Sequence, residues 1–207
     1  MKLTLYTAPA SRGFVCEWLL EELELPHDKV IVDLAAGEHK RPDYLRIHPL
    51  GAVPALVVDE LAIIETLAIS LFLAENDSHR RLAALPTGAL RAKWMQWMVY
   101  TVLTLESALV PPFTRAMGMK PGTRRDAATA QEQETFRALL APLDVQLRRG
   151  TIMEEGFGVV DVCLACRLLW AEGVGLLPDP SSPAKSYLGT HLQRPAYVQV
   201  RKNQHRS

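Results

Sequence analysis

A serine stands where a strand-like segment gives way to a helix near the start of the chain. Residues 2–6 alternate toward β structure, residues 7–10 break the alternation before Ser11, and helical spacing begins at Phe14. The first amides of a helix lack internal partners, so they and the serine hydroxyl would converge on one anionic atom. A thiolate is favoured there. Lowering a thiol pKa by about two units takes roughly 2.7 kcal/mol, which one strong hydrogen bond together with a helix N-terminus can supply. A simple helix cap is the alternative role for Ser11.

A second helix start carries an acidic and a hydroxyl residue. Glu65-Thr66 opens a helical segment directly after a strand-like run. Its backbone amides and the Thr66 hydroxyl would point at a ligand bound above the strand end, and a carboxylate is the expected ligand. The same pair can also cap the helix, and the two roles are compatible.

The cysteines offer less chemistry. Cys163 and Cys166 have the spacing of a redox or metal pair, but they lie in an apolar helical stretch without a second pair of ligands nearby. Buried packing is therefore the expected role of both, and of Cys16. An odd number of cysteines favours free thiols in a reducing compartment, and no metal site is expected.

The elements that position these residues fall into two patterns along the chain. The first pattern contains both strands and helices. The sequence predicts strands at 2–6, 29–33, 54–58 and 61–64 and helices at 14–25 and 65–74. A helix between the first two strands makes them parallel, and the short turn between the last two makes them antiparallel. Residues 1–77 are thus expected to form an α+β domain of order βαβ-α-ββα around a mixed four-stranded sheet.

The second pattern is helical throughout. Residues 78–86 are interpreted as a linker and 87–207 as an all-helical bundle domain. One apolar stripe is predicted to end at Pro111-Pro112, and Pro142 is predicted to kink the next helix. Residues 159–170 are apolar on nearly all sides, which is typical of a helix in the middle of a bundle.

Composition excludes some classes of partner. The chain of 207 residues has 23 Lys and Arg against 23 Asp and Glu, so no global field would draw it to nucleic acid or to an anionic membrane. The sequence shows neither a leader pattern after Met1 nor a stretch that approaches a membrane span. We expect a cytoplasmic protein without nucleic-acid or membrane partners.

A series of short motifs runs in order along almost the whole chain. They are Ser11-Arg12-Gly13, Leu20-Glu21-Glu22-Leu23, Gly37-Glu38-His39-Lys40, the run from His48 to Leu56, Ile64-Glu65-Thr66, Gly158-Val159-Val160-Asp161 and Arg194-Pro195-Ala196-Tyr197. Together they resemble a bacterial cytosolic glutathione transferase of the serine type. The resemblance implies a thioredoxin-like domain that binds glutathione, a helical second domain, glutathione as cosubstrate without a metal or redox cofactor, and a homodimer.

The resemblance also implies roles for particular residues. Ser11 would donate a hydrogen bond to the glutathione sulfur, and a cis Val53-Pro54 bond would present the Val53 backbone to the cysteinyl part. A trans proline in an ordinary loop is the alternative. Glu65 and Thr66 would hold the γ-glutamyl end.

His39 and Lys40 would take the glycyl carboxylate, with solvated surface charge as the alternative. Tyr6 competes with Ser11, because some branches of the family use a tyrosine at the end of the first strand. Ser11 matches the loop better, and Tyr6 is expected to pack against the second domain.

The electrophile would bind in a cleft between the domains. Tyr100 and Thr101, with Ala8 and Pro9 opposite, are the candidate contacts, and core packing is the alternative role for the helical pair. The identity of the electrophile does not follow from the fold.

Three departures from the family pattern support other hypotheses. Ala52 replaces a common lysine, Thr66 replaces the usual serine, and Gly158 replaces a serine or threonine cap. A binding protein with little turnover is therefore the second hypothesis. A glutathione-dependent isomerase of the maleylacetoacetate type is the third, although its Ser-Ser-Cys run is absent around Ser11.

Overall fold

The computed structural model describes residues 1–77, 82, 87–118, 128–177 and 179–204. Contacts within the chain divide it into two units, Met1–Leu82 with Pro195–Ser207, and Ala83–Arg194. The predicted linker at 78–86 lies, apart from Leu82, outside the described residues.

Within the described residues of the first unit, four strands form one mixed sheet. They are β1 (Leu3–Thr7), β2 (Asp28–Ile31), β3 (Ala55–Val58) and β4 (Leu61–Ile64), in the order β2-β1-β3-β4. β1 runs parallel to β2 and antiparallel to β3, which pairs antiparallel with β4. This arrangement confirms the predicted fold class of the first domain.

Helices pack on this sheet, and the side chains of β1 alternate in burial accordingly. They are α1 (Gly13–Glu22), α2 (Pro42–Leu45), which follows a 3-10 turn at Glu38–Lys40, and α3 (Thr66–Glu75). Leu3, Leu5 and Thr7 are buried toward α1 and α3, whereas Tyr6 is half-buried on the other face, beside α2.

The second unit is a helical bundle. Its elements are α4 (Gly88–Val99), a π-helical segment at Tyr100–Leu105, α5 (Glu106–Met117), α6 (Ala130–Leu140), a 3-10 turn at Ala141–Leu143, α7 (Asp144–Arg149), α8 (Val159–Gly173) and α9 (Pro183–His191). Every side chain from Val159 to Leu168 is buried, which confirms the prediction of a central helix. Cys163 and Cys166 lie in this buried stretch and Cys16 in α1, all outside disulfides, as expected for packing residues.

The prolines of the second unit differ in their effect on the helices predicted around them. Pro142 falls in the 3-10 turn between α6 and α7, so the single helix predicted across this proline is interrupted there. The predicted stop at Pro111-Pro112 is wrong, because α5 continues to Met117. Pro111 and Ser107, four residues earlier, are both exposed, so a carbonyl without an amide partner there can be hydrated, while buried Leu105 and Leu109 hold the helix in the bundle.

The last described helix, α10 (Pro195–Gln204), belongs to the first unit. Its Tyr197 ring lies 5.8 Å from the Phe14 ring and 5.0 Å from the Trp18 ring of α1. This differs from the prediction, which assigned all of 87–207 to the second domain. None of the described helices has the length and hydropathy needed to cross a membrane.

Candidate active site

The loop between β1 and α1 holds Ser11 half-buried. The Ser11 hydroxyl accepts a hydrogen bond from the Gly13 N–H at 3.1 Å and donates one to the Ala8 carbonyl at 2.7 Å. The next amides are also used locally, since Phe14 N–H donates to Ser11 O and Val15 N–H to Arg12 O, both at 3.2 Å. The hydroxyl is therefore the group that can turn toward a ligand, in exchange for its bond to Ala8 O.

Tyr6 lies on the opposite face of the sheet from α1. Its ring is 5.9 Å from the ring of Tyr44, and it lines a cavity of about 500 Å³ between β2 and α2. Burial raises the pKa of Tyr44 to about 12, so the Tyr44 hydroxyl stays protonated and donates to the Ala52 carbonyl at 2.6 Å. Tyr6 thus belongs to the α2 side of the first unit.

The peptide bond between Val53 and Pro54 is cis, which confirms the expectation from the resemblance. Pro54 is buried and Val53 half-buried, directly before β3. No other described residue forms a backbone hydrogen bond with Val53. Its N–H and C=O are therefore available to an extended peptide.

Lys40 supports the loop that leads to Val53. Its ammonium donates to the carbonyls of Leu50 and Gly51, both at 3.0 Å. Gly51 has φ +56°, and a Cβ there would lie 2.4 Å from the His39 carbonyl, so this turn requires glycine. An ammonium has three donors, so one proton of Lys40 is left for a ligand.

His39 and His48 are the histidines near this loop. The Nδ1 atom of each is buried without a hydrogen-bond partner among the described residues. Burial lowers the pKa of His48, an effect that the charge of Glu65 opposes. His48 is therefore held toward its neutral form, and His39 keeps an unused ring nitrogen.

Glu65 and Thr66 form the start of α3. Glu65 is exposed and has a positive φ of 73°, which a residue with a Cβ adopts at a cost of about 1–3 kcal/mol. The first backbone bond into the helix is from Ile69 N–H to Glu65 O at 3.0 Å. Among the described residues, the amides of Thr66 and its next two neighbours have no backbone acceptor, so this helix end can bind an anion.

The strand register brings these segments to one end of the sheet. Tyr6 is paired with Ala55, and Ala55 with Ile64. The end of β1, the start of β3 and the end of β4 are therefore neighbours, and so are the segments that carry Ser11, Val53 and Glu65-Thr66. The Lys40 contacts attach the 3-10 turn at Glu38–Lys40 to the loop before β3.

The proposed electrophile contacts are placed less favourably. Ala8 is 3% exposed and Thr101 is fully buried, with a hydroxyl that has no partner among the described residues. Tyr100 is half-buried, and its hydroxyl donates to the Leu139 carbonyl at 2.7 Å. Pro9 is exposed. Substrate contact by these four residues stays a prediction.

Sequence reasoning missed a buried polar group under the Ser11 loop. The Thr7 hydroxyl donates to the carboxylate of Glu17 at 3.1 Å, and both side chains are buried. The available signal was Glu17 itself, the one charged residue between Gly13 and Leu20. No group of three or more His, Cys, Asp or Glu among the described residues could hold a metal ion.

Comparison with known proteins identifies the family. Residues 1–75 match the family model described as the glutathione S-transferase N-terminal domain. Glutathione S-transferase GST-4.5 of Xanthomonas campestris pv. campestris is 30% identical over 84% of this chain and 85% of the relative. Glutathione S-transferase GstB of Escherichia coli K12 is 30% identical over 87% of this chain and 88% of the relative.

Solved structures agree with these relatives. A sphingomonad glutathione S-transferase complexed with glutathione has a TM-score of 0.78 at 28% identity, covering 99% of this chain and 100% of that one. A glutathione transferase homologue from Sulfitobacter with bound glutathione has a TM-score of 0.77 at 28% identity, covering 98% of each chain. Relatives that match over most of their length, and the shared fold, show that this chain belongs to the glutathione S-transferase family.

Proposed function

We propose that the protein is a glutathione transferase that ionises the glutathione thiol beside Ser11. The observation that carries the proposal is the position of the Ser11 hydroxyl. It accepts a hydrogen bond from the Gly13 N–H, and its loop lies at the same end of the sheet as Val53 and Glu65. Family membership supports it.

In the proposed reaction the thiol loses its proton to solvent, and Ser11 redirects its hydroxyl from Ala8 O to the thiolate. The thiolate forms a carbon–sulfur bond with an electrophilic small molecule. In a displacement the leaving group departs with the electrons of its bond, and in an addition the electron pair of the opened bond takes up a proton from solvent. Catalysis comes from stabilising the thiolate and from holding the two reactants together.

The rest of the tripeptide would be held along the sheet end. The Val53 backbone pairs with the cysteinyl backbone as an added strand, next to Pro54. The amides at the start of α3 and the Thr66 hydroxyl take the γ-glutamyl carboxylate, and Glu65 takes the amino group. His39 and the remaining proton of Lys40 take the glycyl carboxylate.

The finer parts of the proposal concern the electrophile and the cell. Pro9 and Tyr100 are the first electrophile contacts to test, since Ala8 and Thr101 are buried. A cytoplasmic detoxification enzyme that works as a two-fold homodimer is the proposed setting. Sedimentation as a monomer at micromolar concentration would contradict the dimer.

The test is to titrate glutathione calorimetrically and to follow the ultraviolet thiolate absorbance of the complex against pH. We expect binding, a bound thiol pKa below that of free glutathione, and conjugation of an activated chloroarene. Binding with a depressed pKa but no turnover on a panel of electrophiles would favour the binding protein. Absence of binding would contradict the proposal.

A further inference from the structure

Thr7 and Glu17 form a buried polar contact between the end of β1 and the second turn of α1. Thr7 is 0% exposed and Glu17 is 4% exposed. The Thr7 hydroxyl donates to Glu17 Oε1 at 3.1 Å, and Lys29 Nζ of β2 lies 3.5 Å from Glu17 Oε2. The contact closes the loop that carries Ser11, because Thr7 precedes that loop and Glu17 follows it.

Gly13 joins this contact to Ser11. A Cβ at Gly13 would lie 2.0 Å from Thr7 Oγ1 and 3.1 Å from Ser11 Oγ, so the two hydroxyls flank the point where a side chain is missing. The N–H of the same glycine donates to Ser11 Oγ at 3.1 Å. The helix start can lie this close to β1 only with glycine at position 13.

The fold alone gives no reason for a carboxylate at position 17. The other residues from Gly13 to Leu20 are apolar and buried, and a buried ion pair can often be replaced by apolar side chains without loss of stability. What an apolar pair cannot supply is a directional bond that fixes the distance between β1 and the start of α1. The contact therefore has a geometric use at the loop it closes.

We propose that Thr7 and Glu17, supported by Lys29, are positioning residues that hold the start of α1 against β1. In this position the Gly13 N–H keeps its hydrogen bond to the Ser11 hydroxyl. An N–H that donates to Ser11 Oγ polarises the hydroxyl and strengthens its bond to a thiolate. The inference rests on the proposed function, since its effect is read on the bound glutathione thiol.

The decisive variant carries Thr7→Val and Glu17→Leu together, which removes both partners and leaves no orphaned polar group between them. We expect the bound thiol pKa to rise by about 0.5 to 1 unit, with a three- to tenfold fall in turnover when it is measured at a pH below the bound thiol pKa. Glutathione affinity and the thermal midpoint should not fall. Thr7→Ser, which keeps the hydroxyl, should titrate as wild type.

The sign of the shift separates positioning from electrostatics. Glu17→Leu removes a negative charge and leaves the Lys29 ammonium, which by charge alone would lower a nearby thiol pKa. A rise is therefore expected only if the geometry at Ser11 has changed. Glu22→Gln is the matched control: its carboxylate lies on the same helix, accepts a hydrogen bond from Trp18 Nε1 at 2.9 Å, and should leave the titration unchanged.

The same titration in a Ser11→Ala background distinguishes the two proposals. If the pair variant adds no shift there, Thr7 and Glu17 act through Ser11, as expected. An equal shift in both backgrounds, or an unshifted or lowered pKa in the Ser11-containing pair variant, overturns the positioning role and leaves the proposed function standing. If Ser11→Ala itself titrates as wild type, the thiolate role of Ser11 fails and this inference fails with it. Should the pair variant not fold, Thr7→Val decides, because it removes the donor of this hydrogen bond; a rise in the bound thiol pKa is expected, and an unchanged curve is the contrary result.

Discussion

Helices α1 and α8 begin alike, with a glycine at the start and a buried acidic side chain within about one turn. At α8, Asp161 accepts from Gly158 N–H at 2.8 Å, Ile152 N–H at 2.7 Å and the Tyr187 hydroxyl at 2.6 Å. At α1, the Glu17 carboxylate lies one turn inside the helix and accepts from Thr7. In the loop before α1, the Ser11 hydroxyl donates to the Ala8 carbonyl.

The two helix starts use their hydrogen bonds for different purposes. The carboxylate of Asp161 is saturated by protein donors, which stabilises the bundle but leaves nothing for a ligand. Ser11 has one donor bond that can be exchanged for another acceptor. A helix start can therefore serve either stability or chemistry, depending on whether a donor is left exchangeable.

The largest effect should come from Asp161→Ala. Two buried amides and the Tyr187 hydroxyl would lose their acceptor, so the free energy of unfolding should fall by about 3–5 kcal/mol. Urea unfolding followed by tryptophan fluorescence measures it. As a control, Asp144→Ala removes a carboxylate that is 50% exposed and pairs with Arg148, and should cost less than about 1 kcal/mol. Similar losses in both variants would mean that the buried hydrogen bonds of Asp161 stabilise the fold no more than an exposed ion pair does.

Ser11→Ala should do the reverse, with small effect on stability and a large one on chemistry. The bound thiol pKa should rise toward that of free glutathione, and turnover should fall about 10- to 100-fold, while glutathione affinity stays nearly unchanged. Ser107→Ala is the control, because Ser107 also donates to the carbonyl three residues earlier at 2.7 Å. Identical thiolate titrations for Ser11→Ala and wild type would make Ser11 a structural cap only.

Glu65→Ala and Thr66→Ala should act on binding. Both residues are proposed to hold the γ-glutamyl end, so KM for glutathione should rise about three- to tenfold, with a smaller change in kcat. Steady-state kinetics at saturating electrophile measure the two separately. Thr66→Ser keeps the hydroxyl and should retain the wild-type KM. A fall in kcat at unchanged KM would count against this assignment.

His48 should give the smallest effect, visible in the pH dependence of stability. Burial lowers the pKa of His48 below its usual 6.5, so the unfolded chain binds its proton first as the pH falls. The free energy of unfolding should therefore decline below about pH 6.5. In His48→Gln this component of the decline should disappear when urea unfolding is compared at pH 7 and pH 5. Parallel pH profiles for both proteins would contradict it.

Local patterns predicted most of the fold. Alternation located the strands to within about two residues, and the uniformly apolar stretch identified α8 as the central helix, because periodicity and composition are local properties. The stop predicted at Pro111-Pro112 was wrong, because packing of Leu105 and Leu109 outweighs the missing amides. For the site, the motifs named the Ser11 loop, Val53-Pro54 and Glu65-Thr66, and the strand register brings those segments to one end of the sheet.

Local sequence patterns specify the order of strands and helices, the burial of the cysteines and, through the motifs, the family. Which distant groups bind one another depends on the tertiary structure: the Tyr187 hydroxyl donates to Asp161, Lys40 donates to the loop before β3, Thr7 donates to Glu17, and α10 belongs to the same unit as α1. A buried donor must find an acceptor wherever the folded chain brings one, and that choice depends on packing across the fold, which local sequence does not encode.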